Sequence, residues 1–337
     1  MKIVLDLTRL VREGKLSAEQ AAELQALASR DTGSLAINAL MSFGAIAVAA
    51  GILALNPSYV TGSVLGATFV LVGLGVDYRL AEQWRLLAIA NTIIGGFLLS
   101  GGLIGLLDGG FVGFALAALL LFVLALLIRN GLLMALVPLA LAAALGSSTG
   151  YFHASYMLMV TEPTITILLF ALLAWASYEI SQRVPAVYEN LALVMARMSL
   201  VLVNFGFWVG SLWGDYPGES WRHAEIYGSG TSSQERAAWR AAALHLPDYV
   251  FVIAWAVLIL GIGVWAARVN RRWVVNLAAV FGAIHFYTQW FERLGADPIS
   301  VILAGISVVA IAVLLWRYNL GQTTSNERGP RRYRLSA

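Results

Sequence analysis

Long apolar runs follow one another from Ala36 onward, separated by short segments that contain charged or turn-forming residues. A transmembrane helix needs about 20 mostly apolar residues to cross the roughly 30 Å hydrocarbon layer. The pattern predicts an all-α, polytopic membrane protein with about ten transmembrane helices. We place them at residues 36–55, 59–77, 86–107, 111–128, 131–147, 164–180, 190–213, 249–267, 273–291 and 298–316. The bounds of the fifth and sixth helices are the least defined, because the segment YFHASYMLMV (151–160) between them is compatible with a helical extension of either one.

Before the first run, apolar residues recur at helical spacing in two short segments. Gly14 stands where a helix C-terminal cap belongs, and Ser17 with Gln20 has the pattern of a capping box. We therefore expect a cytosolic pair of amphipathic helices at 1–34, a transmembrane bundle at 35–320 and a basic cytosolic tail at 321–337. Because helices this short are unstable alone in water, we expect them to pack on each other, on the membrane face or on a protein partner.

Composition agrees with a membrane location, since 59% of the residues are hydrophobic and only 12% are charged. The chain contains no cysteine, which excludes disulfides, thiolate metal sites and thiol nucleophiles. Neither a nucleotide-binding nor a catalytic motif occurs, so we expect no cofactor and no bound metal. The formal net charge is +3, but the basic residues lie in loops and tails, where topology explains them without a nucleic-acid partner.

The positions of lysine and arginine predict the orientation. With both termini in the cytoplasm, most of the 22 basic residues face the cytosol. Four are left outside, namely Arg222, Arg236, Arg240 and Arg293. This distribution predicts a multi-pass protein of the cell (inner) membrane, surrounded by the lipid bilayer, with the long connection 214–248 on the outer side. A helix capped at Ser232 or Ser233 is expected within that connection.

One predicted span carries a charge in its apolar stretch. Asn190, Arg197, Asn204 and Ser211 recur every seven residues, which places them on one helix face. A lipid-facing polar stripe is unfavourable, so this face is expected to point into the bundle. A second interpretation is open for Arg197, because a side chain about 12 Å inside the bilayer can extend back to the interface.

A second polar face is predicted near the outer surface, formed by His285, Thr288, Gln289 and Glu292 at helical spacing. Together with Arg197 and Asn204, His285, Gln289 and Glu292 are candidates to line a ligand or solute pathway. Simple hydrogen bonding between helices is the alternative interpretation. In the outer connection, Arg222, His223 and His245 are candidates to contact a phosphate-bearing or lipid-linked substrate.

Glycines in the second and third predicted spans indicate close helix packing. Gly62 with Gly66, and Gly101 with Gly105, are one helical turn apart, and small residues at this spacing let helices approach each other. A broken transporter helix is the alternative interpretation of the glycine-rich third span.

The N-terminal segment LTRLVREGKLSAEQAAELQAL resembles a group of uncharacterised bacterial membrane proteins that carry a domain of unknown function. The match falls on Leu7, Leu10, Val11, Gly14, Leu16, Ser17, Glu19 and Gln20. The resemblance implies a bacterial inner-membrane protein with a cytosolic helix pair, and it implies no catalytic residues.

Three function classes fit this sequence. The first is a non-enzymatic accessory, scaffold or sensor protein that binds a partner through its cytosolic helices. The second is a permease or channel for a small polar or anionic solute. The third is a membrane enzyme that acts at the outer face through residues of the long connection.

Overall fold

The computed structural model describes residues 10–11, 14–79, 82–152, 155–222, 232–295 and 297–328. Within these ranges the chain forms eleven α-helices and one β-hairpin. The helices are α1 (Ala18–Leu55), α2 (Tyr59–Arg79), α3 (Arg85–Leu106), α4 (Phe111–Leu127), α5 (Gly131–Ala144), α6 (Pro163–Ser181), α7 (Ala186–Trp213), α8 (Ser233–Ala242), α9 (Asp248–Arg268), α10 (Arg272–Leu294) and α11 (Pro298–Arg328). Most of each of the ten apolar segments is therefore helical, although the fifth helix ends at Ala144, three residues before the predicted end.

Six helices in the described ranges are long and apolar enough to cross a membrane. They are α2, α3, α6, α7, α9 and the part of α1 from Ala36 to Leu55. Helices α4 and α5 and the segment Pro298–Val313 are apolar but shorter. The chain is thus an α-helical membrane protein by the length and composition of its helices.

The N-terminal cap signals are confirmed, but the second N-terminal helix is not a separate element. Ser17 Oγ accepts from the Gln20 N–H at 3.1 Å, and Gln20 Oε1 accepts from the Ser17 N–H at 3.0 Å. From this cap, α1 runs without interruption into the first apolar segment. A single Gly33 costs a helix interior only about 1 kcal/mol, and cooperative extension from both sides offsets it. The predicted first helix lies mostly outside the described residues.

The predicted helical extension at 151–160 is wrong, because this region forms a β-hairpin. Strand β1 (Ser148–Phe152) pairs antiparallel with β2 (Ser155–Met159), with Ser148 opposite Met159 and Phe152 opposite Ser155. Helix α5 ends before Gly146, whose φ of +90° is a left-handed conformation that suits glycine. The two strands contain three aromatic residues, Tyr151, Phe152 and Tyr156, a residue type that favours strands.

One compact unit comprises the described residues of Met1–Ala144 and Ala176–Ala196. In it, α2 and α3 pack closely: a Cβ on Gly95 would lie 2.6 Å from the Val70 nitrogen, and one on Gly66 would overlap the backbone of Leu99. Close packing is therefore confirmed, but not at Gly101, where nothing lies within 4 Å of an added Cβ. Helix α3 is unbroken, so the broken-helix interpretation is wrong.

The second compact unit comprises the described residues of Leu145–Trp175 and Arg197–Ala337. Helices α9 and α10 pack against each other within it. The connection between α7 and α9 is folded, with a 3-10 turn at Ser220–Arg222 followed by α8. The predicted cap of α8 is confirmed at Ser232, whose side chain forms a capping box with Glu235.

Candidate functional site

A buried carboxylate fixes the first part of the α7–α9 connection. Glu162, directly before α6, has no solvent-exposed surface. It accepts hydrogen bonds from the Gly218 N–H at 2.7 Å, the Ser220 N–H at 2.8 Å and the Ser220 hydroxyl at 2.5 Å. Charge-assisted hydrogen bonds are roughly twice as strong as neutral ones. One side chain therefore holds the turn 218–220 against the start of α6.

A second buried carboxylate, Asp215, holds the base of the same connection. Its Oδ2 accepts from the Thr164 N–H at 2.8 Å. Its backbone forms an antiparallel bridge with Leu246, with N–O distances of 2.8 and 2.9 Å. Burial raises the pKa of Asp215, and the nearby Glu162 raises it further, while the hydrogen bond from the Thr164 N–H opposes both. The two ends of the connection are thus joined at Asp215 and Leu246.

This anchored connection forms an open cavity of about 510 Å³ at the protein surface. Small-molecule sites typically occupy about 300–1,000 Å³. The indole rings of Trp221 and Trp239 and the guanidinium of Arg222 are the groups in its lining that can recognise a ligand. The Trp221 side chain is accessible, because the residue is 59% exposed. The lining residues are Pro217, Gly218, Trp221, Arg222, Trp239, Ala242, Ala243 and Leu244. We call this cavity the tryptophan cleft.

An aromatic and ionic cluster centred on Tyr216 supports one side of the tryptophan cleft. The Tyr216 ring stacks on His245 with centroids 4.4 Å apart and lies 6.2 Å from the Trp239 ring. The Arg240 guanidinium lies 5.7 Å from the Tyr216 centroid and forms a 3.2 Å ion pair with Glu219. These contacts hold α8 next to the 3-10 turn, so both cleft tryptophans sit on fixed backbone.

The candidate residues predicted in the α7–α9 connection do not come together in one site. Arg222 lines the tryptophan cleft, whereas the exposed His245 stacks on Tyr216 and is absent from the described lining. His223 lies outside the described residues. No group of three or more metal-ligating side chains occurs in the part of the chain that the structure describes.

In the helical part of the same unit, Trp255 connects two of the pathway candidates. Its indole N–H donates to Asn204 Oδ1 at 2.9 Å, and its ring meets His285 edge-on with centroids 4.8 Å apart. Asn204 also donates to the Leu200 carbonyl at 2.7 Å, and Trp255 is fully buried. Trp255 is not among the candidates predicted from the sequence, because tryptophan is counted as apolar although its indole N–H is a donor.

The other pathway candidates occupy different surroundings. Arg197 is exposed, and its guanidinium lies 5.1 Å from the centroid of the Trp273 ring. Glu292 is exposed at the end of α10, whereas Gln289 is half-buried. His285 Nδ1 and Gln289 Nε2 are enclosed and have no hydrogen-bond partner among the described residues. Of the seven-residue stripe on α7, Asn204 and Ser211 are buried, and Asn190 and Arg197 are exposed.

Glu162 and Asp215 were also missed, although each has a local signal. Glu162 precedes Pro163, and a carboxylate before a helix N-terminus is favoured by the helix dipole. Asp215 lies in GDYPG, a turn-forming segment directly after α7.

Comparison with protein-family models, with curated proteins and with solved structures gives no match to this chain.

Proposed function

We propose that this chain is an accessory or sensor protein of the cell (inner) membrane that crosses it ten times and recognises a ligand without catalysis. The tryptophan cleft is its recognition site. The observation that carries this proposal is the anchoring of the α7–α9 connection by Glu162 and Asp215. A connection held by buried charges presents its cleft in one conformation, which lowers the entropy lost on binding.

The chemistry of the cleft supports recognition rather than catalysis. Arg222 is the only titratable side chain among the described lining residues. A guanidinium stays protonated at neutral pH and cannot act as a general base. The described lining residues offer groups that orient a ligand, and they include no nucleophile and no acid–base pair.

The hydrogen bonds of Asn204 support a structural role for this candidate. Its carbonyl oxygen is taken by Trp255 and its amide donates to Leu200. A solute at Asn204 would have to replace a buried hydrogen bond, and leaving a buried donor unsatisfied costs about 1–3 kcal/mol. Arg197 over Trp273 resembles an interfacial anchor more than a pathway residue.

A permease is the second candidate function, and one observation favours it. His285 Nδ1 and Gln289 Nε2 are one helical turn apart on α10 and lack hydrogen-bond partners among the described residues. Buried polar atoms without partners are uncommon and are often satisfied by water or a ligand. Water or a solute bound at this pair would make α10 part of a path.

Purification from native membranes followed by mass spectrometry tests the proposed function. We expect the wild-type chain to co-purify with a specific molecule that Trp221→Ala loses and Trp213→Ala keeps. Trp213 is the matched control, because it is an exposed tryptophan at the end of α7 outside the cleft lining.

The permease is tested by solute flux into proteoliposomes. Flux that is lost in His285→Leu, together with an identical set of co-purified molecules in all tryptophan variants, would reject recognition in favour of transport. Circular dichroism of each variant checks that the fold is intact.

A further inference from the structure

The tryptophan cleft combines two kinds of recognition group. Trp221 on the 3-10 turn and Trp239 on α8 provide aromatic faces, and Arg222 beside Trp221 provides a guanidinium. The face of an aromatic ring carries partial negative charge and attracts polarised C–H groups such as those of a sugar ring. A guanidinium pairs with phosphate through two parallel hydrogen bonds. A ligand that satisfies both groups carries a ring next to a phosphate.

The carboxylates that the structure describes around the cleft do not oppose an anion there. Glu162 and Asp215 are buried and accept hydrogen bonds from the backbone. Glu219 is paired with Arg240 at 3.2 Å. The described carboxylates near the cleft are thus engaged within the protein. Arg222 is exposed along the cleft wall, and its guanidinium has five N–H donors, so that it can bind a phosphate in addition to a protein partner.

The position of the cleft in the chain allows two sources for such a ligand. Its first lining residue, Pro217, follows the end of α7 at Trp213, and its last, Leu244, precedes the start of α9 at Asp248. Both α7 and α9 are candidate membrane spans, so the cleft lies near the level of lipid headgroups. A soluble sugar phosphate and a lipid with a phosphorylated ring headgroup share the same recognition chemistry.

We propose that the tryptophan cleft binds a phosphorylated polyhydroxylated ring, either as a free sugar phosphate or as a lipid headgroup. The ring packs on the indole faces of Trp221 and Trp239, and Arg222 binds the phosphate. This proposal rests on the proposed function and specifies the ligand class of the same site.

The first experiment measures binding of soluble probes to the full chain in phosphatidylcholine nanodiscs. Saturation-transfer NMR detects glucose and glucose 1-phosphate directly, and inorganic phosphate is tested as a competitor of glucose 1-phosphate. We expect glucose 1-phosphate to bind at least tenfold more tightly than glucose or inorganic phosphate, because glucose and phosphate alone each contact only half of the site. Arg222→Gln is expected to raise the Kd about tenfold or more, since charge-assisted hydrogen bonds are lost. Trp221→Ala is expected to weaken binding likewise, and Trp221→Phe to retain most of it.

Two matched variants keep the first experiment interpretable. Trp213→Ala removes an exposed tryptophan outside the cleft lining, and Arg268→Gln removes an exposed arginine at the end of α9. Both are expected to bind as the wild type does. Equal affinity for glucose and glucose 1-phosphate, or wild-type affinity in both Arg222→Gln and Trp221→Ala, overturns the proposal.

The second experiment separates the two sources. Nanodiscs containing phosphatidylinositol are compared with nanodiscs containing phosphatidylglycerol, and displacement of glucose 1-phosphate is measured. Displacement by phosphatidylinositol alone supports the lipid source, and absence of displacement with intact soluble binding supports the free sugar phosphate. Equal displacement by both lipids shows that only charge is read and overturns the ring assignment. If the cleft captures a molecule without a phosphorylated ring, the ligand class is wrong but the proposed function stands.

Discussion

Replacing Glu162 by alanine is the sharpest perturbation of the α7–α9 connection. The side chain is fully buried and accepts three hydrogen bonds, two from backbone N–H groups and one from the Ser220 hydroxyl. Alanine removes the acceptor for all three while leaving the donors in place. We expect the connection to open locally while the helices on either side stay folded.

The size of the effect follows from the number of bonds. A hydrogen bond to a charged group contributes about 1.5–3 kcal/mol net, so three bonds at the lower figure give about 4.5 kcal/mol. A tenfold change in an equilibrium constant corresponds to about 1.4 kcal/mol, so local opening becomes about a thousandfold more frequent. Glu162→Gln keeps one oxygen acceptor, so the frequency of local opening is expected to lie between those of the wild type and Glu162→Ala.

Hydrogen–deuterium exchange of the full chain in nanodiscs measures this opening. The informative amides are those of Asp215 and Leu246, because they bond each other's carbonyls and not Glu162. Their exchange should accelerate in Glu162→Ala and stay at the wild-type rate in Glu189→Ala, which removes an exposed carboxylate at the start of α7.

Two results would refute the reasoning. Exchange of Asp215 and Leu246 within threefold of the wild-type rate in Glu162→Ala would mean that Glu162 does not hold the connection. Uniform acceleration across all helices would mean that the residue supports the whole fold rather than this segment.

Two further predictions concern packing and protonation. Gly95→Val should lower the midpoint of thermal unfolding strongly because its Cβ would meet the Val70 backbone at 2.6 Å, whereas Gly101→Ala, with open space around it, should leave the midpoint unchanged or raise it. Equal midpoints for the two variants would contradict the observed packing of α2 on α3. The raised pKa of Asp215 means that the folded connection binds more protons than the unfolded one between the two pKa values. The stability of the folded connection is therefore greatest below the pKa that Asp215 has in the unfolded state, and it falls as pH rises through the pKa in the folded state. Asp215→Asn should remove this pH dependence, measured by amide exchange of Leu246. An unchanged pH dependence in Asp215→Asn would assign it to another group.

Sequence pattern was sufficient for the helices and their caps, because both depend on local order. The capping boxes at Ser17 and Ser232 need only a residue and its neighbour three positions later. Helix α1 continues past the boundary expected at residue 34, because a single glycine such as Gly33 does not terminate a helix. The hairpin was missed because a short apolar run has no decisive period.

Glycine contacts show where local pattern stops being informative. Helix α3 contains five glycines, at positions 95, 96, 101, 102 and 105, and only Gly101 with Gly105 has the four-residue spacing of close packing. Which of these glycines faces α2 depends on the rotation of the helix about its axis, and that rotation is set by side chains of the partner helix. Gly95 faces α2 and Gly101 does not, although either position has the required residue type.

Local pattern also fails to predict the hydrogen-bond partners of the buried polar residues Asn204 and Glu162. In an apolar helix, asparagine attracts attention as a possible ligand group because its partner is invisible in the sequence. That partner is Trp255, 51 positions away, and tryptophan carries a donor while being counted as apolar. The partners of Glu162 are mainly backbone N–H groups at 218 and 220, which every non-proline residue has. Both polar groups are satisfied by donors that composition does not reveal, so a conspicuous residue such as Asn204 can be structural. The recognition site that we propose lies instead in an exposed cleft, where the side chains are interfacial residues such as Trp221 and Arg222.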